Sequence, residues 1–379
     1  MPSSEQAIDN DGRVEGLTAN AAGGAGTQSG ARRVTVMIPS YNYAHYLPEC
    51  VQSALDQPGV DVDVLIVDNA STDGSLAIAQ ALADQHPNIR LVTYPDNQGI
   101  VCSLNRCFAG IEGEYAVLLC ADDRLVPGAL SRAVDLLQTH PTVGLVYGPA
   151  LDFAAIDDVD PKVYAKAVQT PAIYPGESWI NARCHAGTNP IRTPEVTMRS
   201  SVVKSVGPLD PRCTHTSDFN LWLRIAAVAD VAFLPGPPLA LYRRHATNHS
   251  NIYNFSMHLD LSERWRAFES FFEKLDGHPQ RPAWERAARA RIARDSRYFA
   301  LRAYVHGPDA QGDDHVDELQ SLADTLQPDR PPTRQTLAWR ARPLLGRRLS
   351  GVFPPFLIPS VLRRVSRRRA ERRRMETGQ

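Results

Sequence analysis

The sequence is poor in the features that mark several large protein classes. Its six cysteines, at 50, 102, 107, 120, 184 and 213, form no C-x-x-C pair. No histidine cluster completes a zinc pattern, so a zinc-stapled module or a dithiol redox motif is excluded. No run of eighteen apolar residues occurs, which argues against a membrane-spanning helix. The start lacks a secretory apolar core, so a reducing cytoplasm is the expected compartment. Lysine is scarce: nearly all of the 41 basic residues are arginine. That bias carries no function by itself. Net charge is also missing, at −1 overall, which excludes an electrostatic nucleic-acid binder. No G-x-G-x-x-G follows the first apolar run, against a dinucleotide-binding dehydrogenase. No Gly- and Arg-rich loop with a lysine follows it either, against a nucleotidyltransferase.

What is present is a globular composition, 43% hydrophobic and 22% charged over 379 residues. Residues 1–31 are rich in Ala, Gly, Ser, Asn and Gln without apolar period, and read as a disordered leader. Short β-rich runs follow at 34–38, 62–67, 89–94, 115–120 and 143–147. Between them lie helical stretches at 47–55, 75–86, 101–111 and 128–139. This alternation predicts an α/β domain with a mostly parallel sheet flanked by helices. Residues 152–200 carry several prolines and no long period, and read as irregular cover. A helix at 218–229, a strand at 231–234 and amphipathic helices over 255–305 follow. The expected domains are 32–250, divided into halves 32–150 and 151–250, and a helical C-terminal extension 251–379 with a basic tail.

In a parallel sheet, ligands bind outside the carboxyl ends of the strands. The polar clusters fall at those ends: Pro39 to Asn42, Asp68 to Asp73, Asp96 to Gly99, and Asp122 with Asp123. One cleft would collect all four. Paired carboxylates at a strand end suit Mg2+ or Mn2+, which take oxygen ligands. Asp123 also suits a helix N-cap, since a helix follows within a few residues.

These motifs, in this order and spacing, resemble the inverting family 2 glycosyltransferases of GT-A fold. The resemblance rests on Val-Met-Ile-Pro-Ser-Tyr-Asn, Val-Asp-Asn-Ala-Ser-Thr-Asp-Gly-Ser, Asn-Gln-Gly and Ala-Asp-Asp-Arg. It is strong over 33–150 and looser to about 250, through Ser-Asp-Phe-Asn-Leu-Trp-Leu-Arg and Tyr-Arg-Arg-His. It implies that Pro39, Ser40 and Tyr41 receive the base and ribose of a nucleotide sugar, with Asp68 on the base. It implies that Gly99 and Asn105 line the donor cleft. Asp122 meets the ribose or diphosphate, and Asp122 and Asp123 hold the metal. Asp218 matches the general base. His245 is a further candidate for the metal or the diphosphate, and Arg243 and Arg244 for phosphate.

Three positions depart from the family pattern. Cys120 replaces the first acid of Asp-x-Asp-Asp, Ser217 replaces the Glu of Glu-Asp, and Leu104 replaces an Arg. The expected activity is metal-assisted transfer of a sugar from a nucleotide-diphosphate donor, most commonly a UDP-sugar in this family, to an acceptor hydroxyl. The acceptor is a carbohydrate, a lipid-linked intermediate or a small molecule. A non-catalytic nucleotide-sugar-binding or scaffold protein is the competing class, because of Cys120 and Ser217. His185, Asn189 and Thr193 are candidates to touch the acceptor; Trp222 suits core packing better than sugar stacking. Asn248 opens a formal glycosylation sequon that a cytoplasmic chain would not use. The apolar and arginine-rich stretch 337–365, followed by the basic run 367–374, suits either peripheral contact with an anionic inner membrane face or a packed appendage. The apolar face of the 255–305 helices would serve a homodimer or the core equally.

Overall fold

The computed structural model describes residues 32–167, 169–246, 248, 256–306 and 315–328. The leader and the basic tail fall outside the described residues. The first half alternates as the sequence predicts: β1 Arg33–Ser40, α1 Leu47–Leu55, β2 Asp61–Asp68, α2 Ser75–Gln85, β3 Ile89–Thr93, α3 Ile100–Ala109, β4 Tyr115–Leu118. Then come β5 Arg124–Leu125, α4 Ala129–Thr139, β6 Val143–Tyr147 and β7 Ala150–Phe153. Both faces of β1, β2 and β4 are covered, which is why they read as near-continuous apolar runs.

The stretch expected to be irregular is more ordered than its prolines suggest. It contains β8 Ala172–Tyr174, α5 Gly176–Ala186, β9 Val196–Arg199 and α6 Ser200–Val206. The chain continues through α7 Ser217–Ala226, β10 Asp230–Phe233 and β11 Ala240–Arg243. Three further helices are α8 Met257–Glu273, α9 Arg281–His306 and α10 Val316–Leu326. None of the described helices is long and apolar enough to cross a membrane.

The main sheet has eight strands in the order β3-β2-β1-β4-β9-β6-β10-β8. Its β1–β2, β1–β4, β2–β3 and β6–β10 pairs are parallel; β9 runs antiparallel between β4 and β6, and β8 antiparallel along β10. Strand order reverses at β1, whose neighbours are β2 on one side and β4 on the other, and such a switch point opens a crevice. Pairing of β1 with β4 ends at Met37, two residues before Pro39, whose ring has no N–H to give a neighbour. A small second sheet, β5-β11-β7, lies beyond the carboxyl end of β4.

Two apolar clusters sandwich the main sheet. One joins residues of α1, α4 and the small sheet to β1, β2, β4 and β6. The other joins α3, α5, α7 and the C-terminal helices to the opposite face, including Trp179, Trp222, Phe268 and Phe271. The described helices after 256 therefore share the core of the preceding α/β part. Gly176 starts α5 where a Cβ would overlap the carbonyl oxygen of Ala226, so this close approach of α5 to α7 needs glycine.

Candidate active site

The carboxyl ends of β1 and β2 meet side by side, with Ser40 opposite Asp68 in register. Asp68 is fully buried. Its Oδ1 accepts the Ser71 N–H at 3.0 Å, while Oδ2 has no hydrogen-bond partner. The Ser40 hydroxyl is likewise buried and unpartnered. Buried polar atoms are normally satisfied, so two adjacent unsatisfied groups at a switch point indicate a place prepared for a polar ligand. Tyr41 stands beside them, 42% exposed.

The loops around this point are laced together by side chains. Asn42 Oδ1 accepts the Thr72 N–H at 2.8 Å, and the Asn42 N–H donates to Ser71 Oγ at 3.0 Å. Against the effect of burial, Asp73 accepts from the Ser75 hydroxyl and from the backbone of Ala44 and Ser75, bonds that hold its carboxyl below the usual range. Asn69 donates to Asn97 at 2.9 Å and accepts from the Gln98 N–H at 2.9 Å, fixing the turn that ends at Gly99. Gly99 has φ 80°, in the region that favours glycine, and starts α3. Asn105 faces another way: both ends of its amide are taken by Leu209, at 2.7 and 3.2 Å, so it clips α3 to the segment before α7.

Asp122 and Asp123 lie just past β4 and are 6% and 1% exposed. With Cys120 they bring one ligand atom each within 4.8 Å of one another. Asp123 does not cap the next helix, whose N-cap is Gly128. Instead its Oδ1 accepts the Arg243 N–H at 2.9 Å, and its Oδ2 is buried without a partner. Burial, and then the neighbouring Asp122 charge, push the Asp123 carboxyl well up. Asp122 Oδ2 is held by His245 Nε2 at 2.9 Å and by the Asn248 amide at 3.1 Å. An unpartnered carboxylate oxygen beside a second carboxylate fits a hard divalent cation. Cys120 offers a soft sulfur, so the two carboxylates are the better donors for such an ion.

The small sheet delivers this arrangement. β11 carries Arg243, whose guanidinium donates to the Asp122 carbonyl at 2.8 Å, to Ala154 O at 3.1 Å and to Glu49 at 2.5 Å. It also stacks near Tyr46 and Phe153, at 4.6 and 4.3 Å from their ring centres. Glu49 pairs in turn with Arg124. Arg243 is thus a buried strut under the acids. Arg244 points elsewhere, sharing Asp152 with Arg192 and lying over Tyr242.

Asp218 is in the first turn of α7. Its Oδ2 accepts from Asn189 at 3.0 Å and Thr193 at 3.5 Å, and its Oδ1 from the Phe219 N–H at 2.6 Å. Burial pushes its carboxyl up to about 6, against the pull of those three donors. It borders a cavity of about 430 Å3 that also touches Pro39, Cys120 and Arg244. Asn189 and Thr193 line this cavity, His185 does not, and Trp222 is fully buried in its wall. Sequence reasoning missed Asn248 and Glu49. Asn248 follows His245 by three residues, and that spacing was its available signal; Glu49 looks like any polar position of an amphipathic helix.

The strand order, the switch-point crevice and the acids past β4 define the GT-A glycosyltransferase fold. The solved structure of S. aureus TarS shares this architecture with a TM-score of 0.54 at 14% identity, covering 82% of this chain and 55% of that one. The glycosyl transferase family 2 profile matches residues 35–170. An uncharacterized glycosyltransferase of Nostoc sp. is 30% identical over 227 residues, 57% of this chain and 66% of that protein. Chondroitin synthase of Pasteurella multocida is 35% identical over 114 residues, 30% of this chain and 12% of the synthase. Residues 35–170 thus match a glycosyl transferase family 2 domain. The chain spans about two thirds of the first relative and a small part of the synthase.

Proposed function

We propose that the protein transfers a sugar from a nucleotide-diphosphate donor to an acceptor hydroxyl, with inversion and with a divalent cation. The observation that carries this reading is Asp218, a carboxylate with its affinity for protons raised, at the edge of a cavity that reaches the strand ends holding Asp122 and Asp123. Ser40, Tyr41 and Asp68 would receive the nucleoside, Asp68 Oδ2 accepting a base N–H. Asp122 and Asp123 would hold Mg2+ or Mn2+, with His245 and Asn248 orienting Asp122. A bound ion supplies neutralisation of the charge that grows on the leaving diphosphate.

The acceptor oxygen forms a bond to the anomeric carbon as the bond from that carbon to the phosphate oxygen breaks. The electron pair leaves with the diphosphate, and the acceptor proton passes to Asp218. Asn189 and Thr193 aim the carboxylate and stabilise its charged form. Attack opposite the leaving group inverts the centre in one step.

A thermal-shift screen of UDP, dTDP, GDP and ADP, each with and without Mn2+, tests the donor side. The expected result is a metal-dependent rise in melting temperature with one nucleotide class. No shift with any of them would remove the transferase reading.

A further inference from the structure

Three arginines stand on the wall of the Asp218 cavity, and their charges are not equally answered. Arg264 pairs with Asp260 at 2.6 Å, on the same wall. Arg192 and Arg244 share one carboxylate, Asp152: Arg192 donates to its Oδ1, and Arg244 to its Oδ2 at 3.2 Å. Asp152 is on β7, opposite Tyr242 of β11 in the parallel ladder. Both guanidiniums lie near the Tyr242 ring, 5.1 and 4.8 Å from its centre. The ring and the shared carboxylate hold two like charges together. Among the described residues, each guanidinium donates to Asp152 alone, with one of the N–H groups of its fork. Glu195 accepts the Arg192 backbone N–H. The donors to Asp218 are an amide, a hydroxyl and a backbone N–H, so it does not neutralise the pair by contact. Two cations over one carboxylate leave a positive charge at the cavity wall, with most of its donors unspent.

We infer that Arg192 and Arg244 form an oxyanion subsite, and that the acceptor carries a phosphate or carboxylate held there while its hydroxyl lies at Asp218. The inference rests on the transferase reading. The hydroxyl oxygen joins the anomeric carbon, its proton passes to Asp218, and the diphosphate leaves with the bonding pair; the acceptor's own anionic group is not consumed. The chain ties the two functions together, since Arg192 immediately precedes Thr193, and Thr193 with Asn189 aims Asp218. A pair of guanidiniums grips an oxyanion through bonds in which both partners are charged, which a neutral sugar does not offer. The donor diphosphate is the competing anion, because the charge of Arg192 is felt at Asp123. In the proposed reaction a cation at Asp122 and Asp123 answers that diphosphate, and neither acid lines this cavity.

The test uses the full chain saturated with Mg2+ and the nucleotide that stabilises it, so that the donor's phosphate site is filled. Calorimetric titration with inorganic phosphate, at constant ionic strength, should show saturable binding. Arg192→Gln and Arg244→Gln should each weaken it at least about tenfold. Arg244→Lys, which keeps the charge and loses the fork, should weaken it less than either. The metal-dependent nucleotide shift is read on every variant, and its persistence shows that the variant is folded. No phosphate binding to wild type, or equal binding to wild type and both glutamine variants, overturns the proposal and leaves the transferase reading standing. Phosphate that displaces the nucleotide, or nucleotide affinity that falls about tenfold in Arg192→Gln, gives the pair to the donor diphosphate and overturns the acceptor class. If wild type gives no nucleotide shift, the transferase reading falls and takes this inference with it.

Discussion

The two ends of the cleft are built on opposite economies of polar groups. Around Asp68, Asp122 and Asp123, carboxylates and amides are dense, and most are spent on backbone or on one another. The few atoms left over, Asp68 Oδ2, Asp123 Oδ2 and Ser40 Oγ, mark where a ligand completes the network. Around Asp218 the wall mixes Leu118, Leu209 and Phe219 with Arg192, His215, Thr216 and Ser217, and both oxygens of the Asp218 carboxylate already have donors. The first end is suited to bind charge tightly. The second is suited to raise a proton affinity, since burial disfavours the ionised acid. A donor site and a base site need those two properties.

The sharpest way to break the comparison is Asp218→Asn. The amide keeps the shape and cannot accept the proton, so turnover should fall by on the order of a thousandfold. Metal-dependent nucleotide stabilisation should be unchanged, because Asp218 takes no part in the acidic network. Radiolabelled sugar transfer and thermal shift, measured together, decide it. Unimpaired turnover would remove Asp218 from the role.

Arg243→Ala attacks the other end. It takes away the strut beneath Asp122 and Asp123 and leaves Glu49 with Arg124 alone. Removing one member of a buried pair costs about 3 kcal/mol, read as a lower urea midpoint. The loss of metal-dependent nucleotide binding should exceed any loss of binding in the Asp218 cavity. Equal effects at both ends would mean that the two are not separable.

The pH profile separates them in another way. In the proposed mechanism Asp218 works as the carboxylate, and burial has moved its protonation up to about 6. The rate should therefore be full above that value and fall about tenfold per unit below it, as the neutral acid accumulates. The residual rate of Asp218→Asn should lack this limb. A wild-type rate that holds flat through pH 5 would contradict the assignment.

The end around Asp68, Asp122 and Asp123 is far more legible in the sequence than the end around Asp218. Its strands are buried on both faces and give unbroken apolar runs, and its polar residues cluster at the strand ends. Asp218 was legible through a resemblance, but its surroundings were not. α5 was read as irregular because its buried stripe of Trp179, Ile180, Arg183 and Cys184 contains a charge, and apolar period fails there. The structure accommodates Arg183 against the Trp179 ring, 5.4 Å from its centre. β9 has four residues with buried Thr197 among them, too short to show a period, yet it divides β4 from β6. Asn248 opens a formal sequon that the sequence gives no reason to use, whereas its amide holds Asp122. Contacts made by a polar side chain to a distant backbone leave no local pattern to read.

Asn105 is where the two ends touch, and it gives the smallest and most discriminating test. The family resemblance assigns it to the donor cleft. The structure spends its amide on Leu209, which forms the floor of the Asp218 cavity. Asn105→Ala leaves the Leu209 N–H and carbonyl without this partner, at a cost of about 1–2 kcal/mol in urea denaturation. If the amide is a clip, nucleotide affinity should stay within a factor of about two, since a shift below half a kcal/mol is near the noise of such a substitution. Turnover, which depends on the cavity that Leu209 lines, should fall by more than that. A selective loss of nucleotide affinity would instead return Asn105 to the donor, and would mean that the bound state breaks the Leu209 contacts to free the amide.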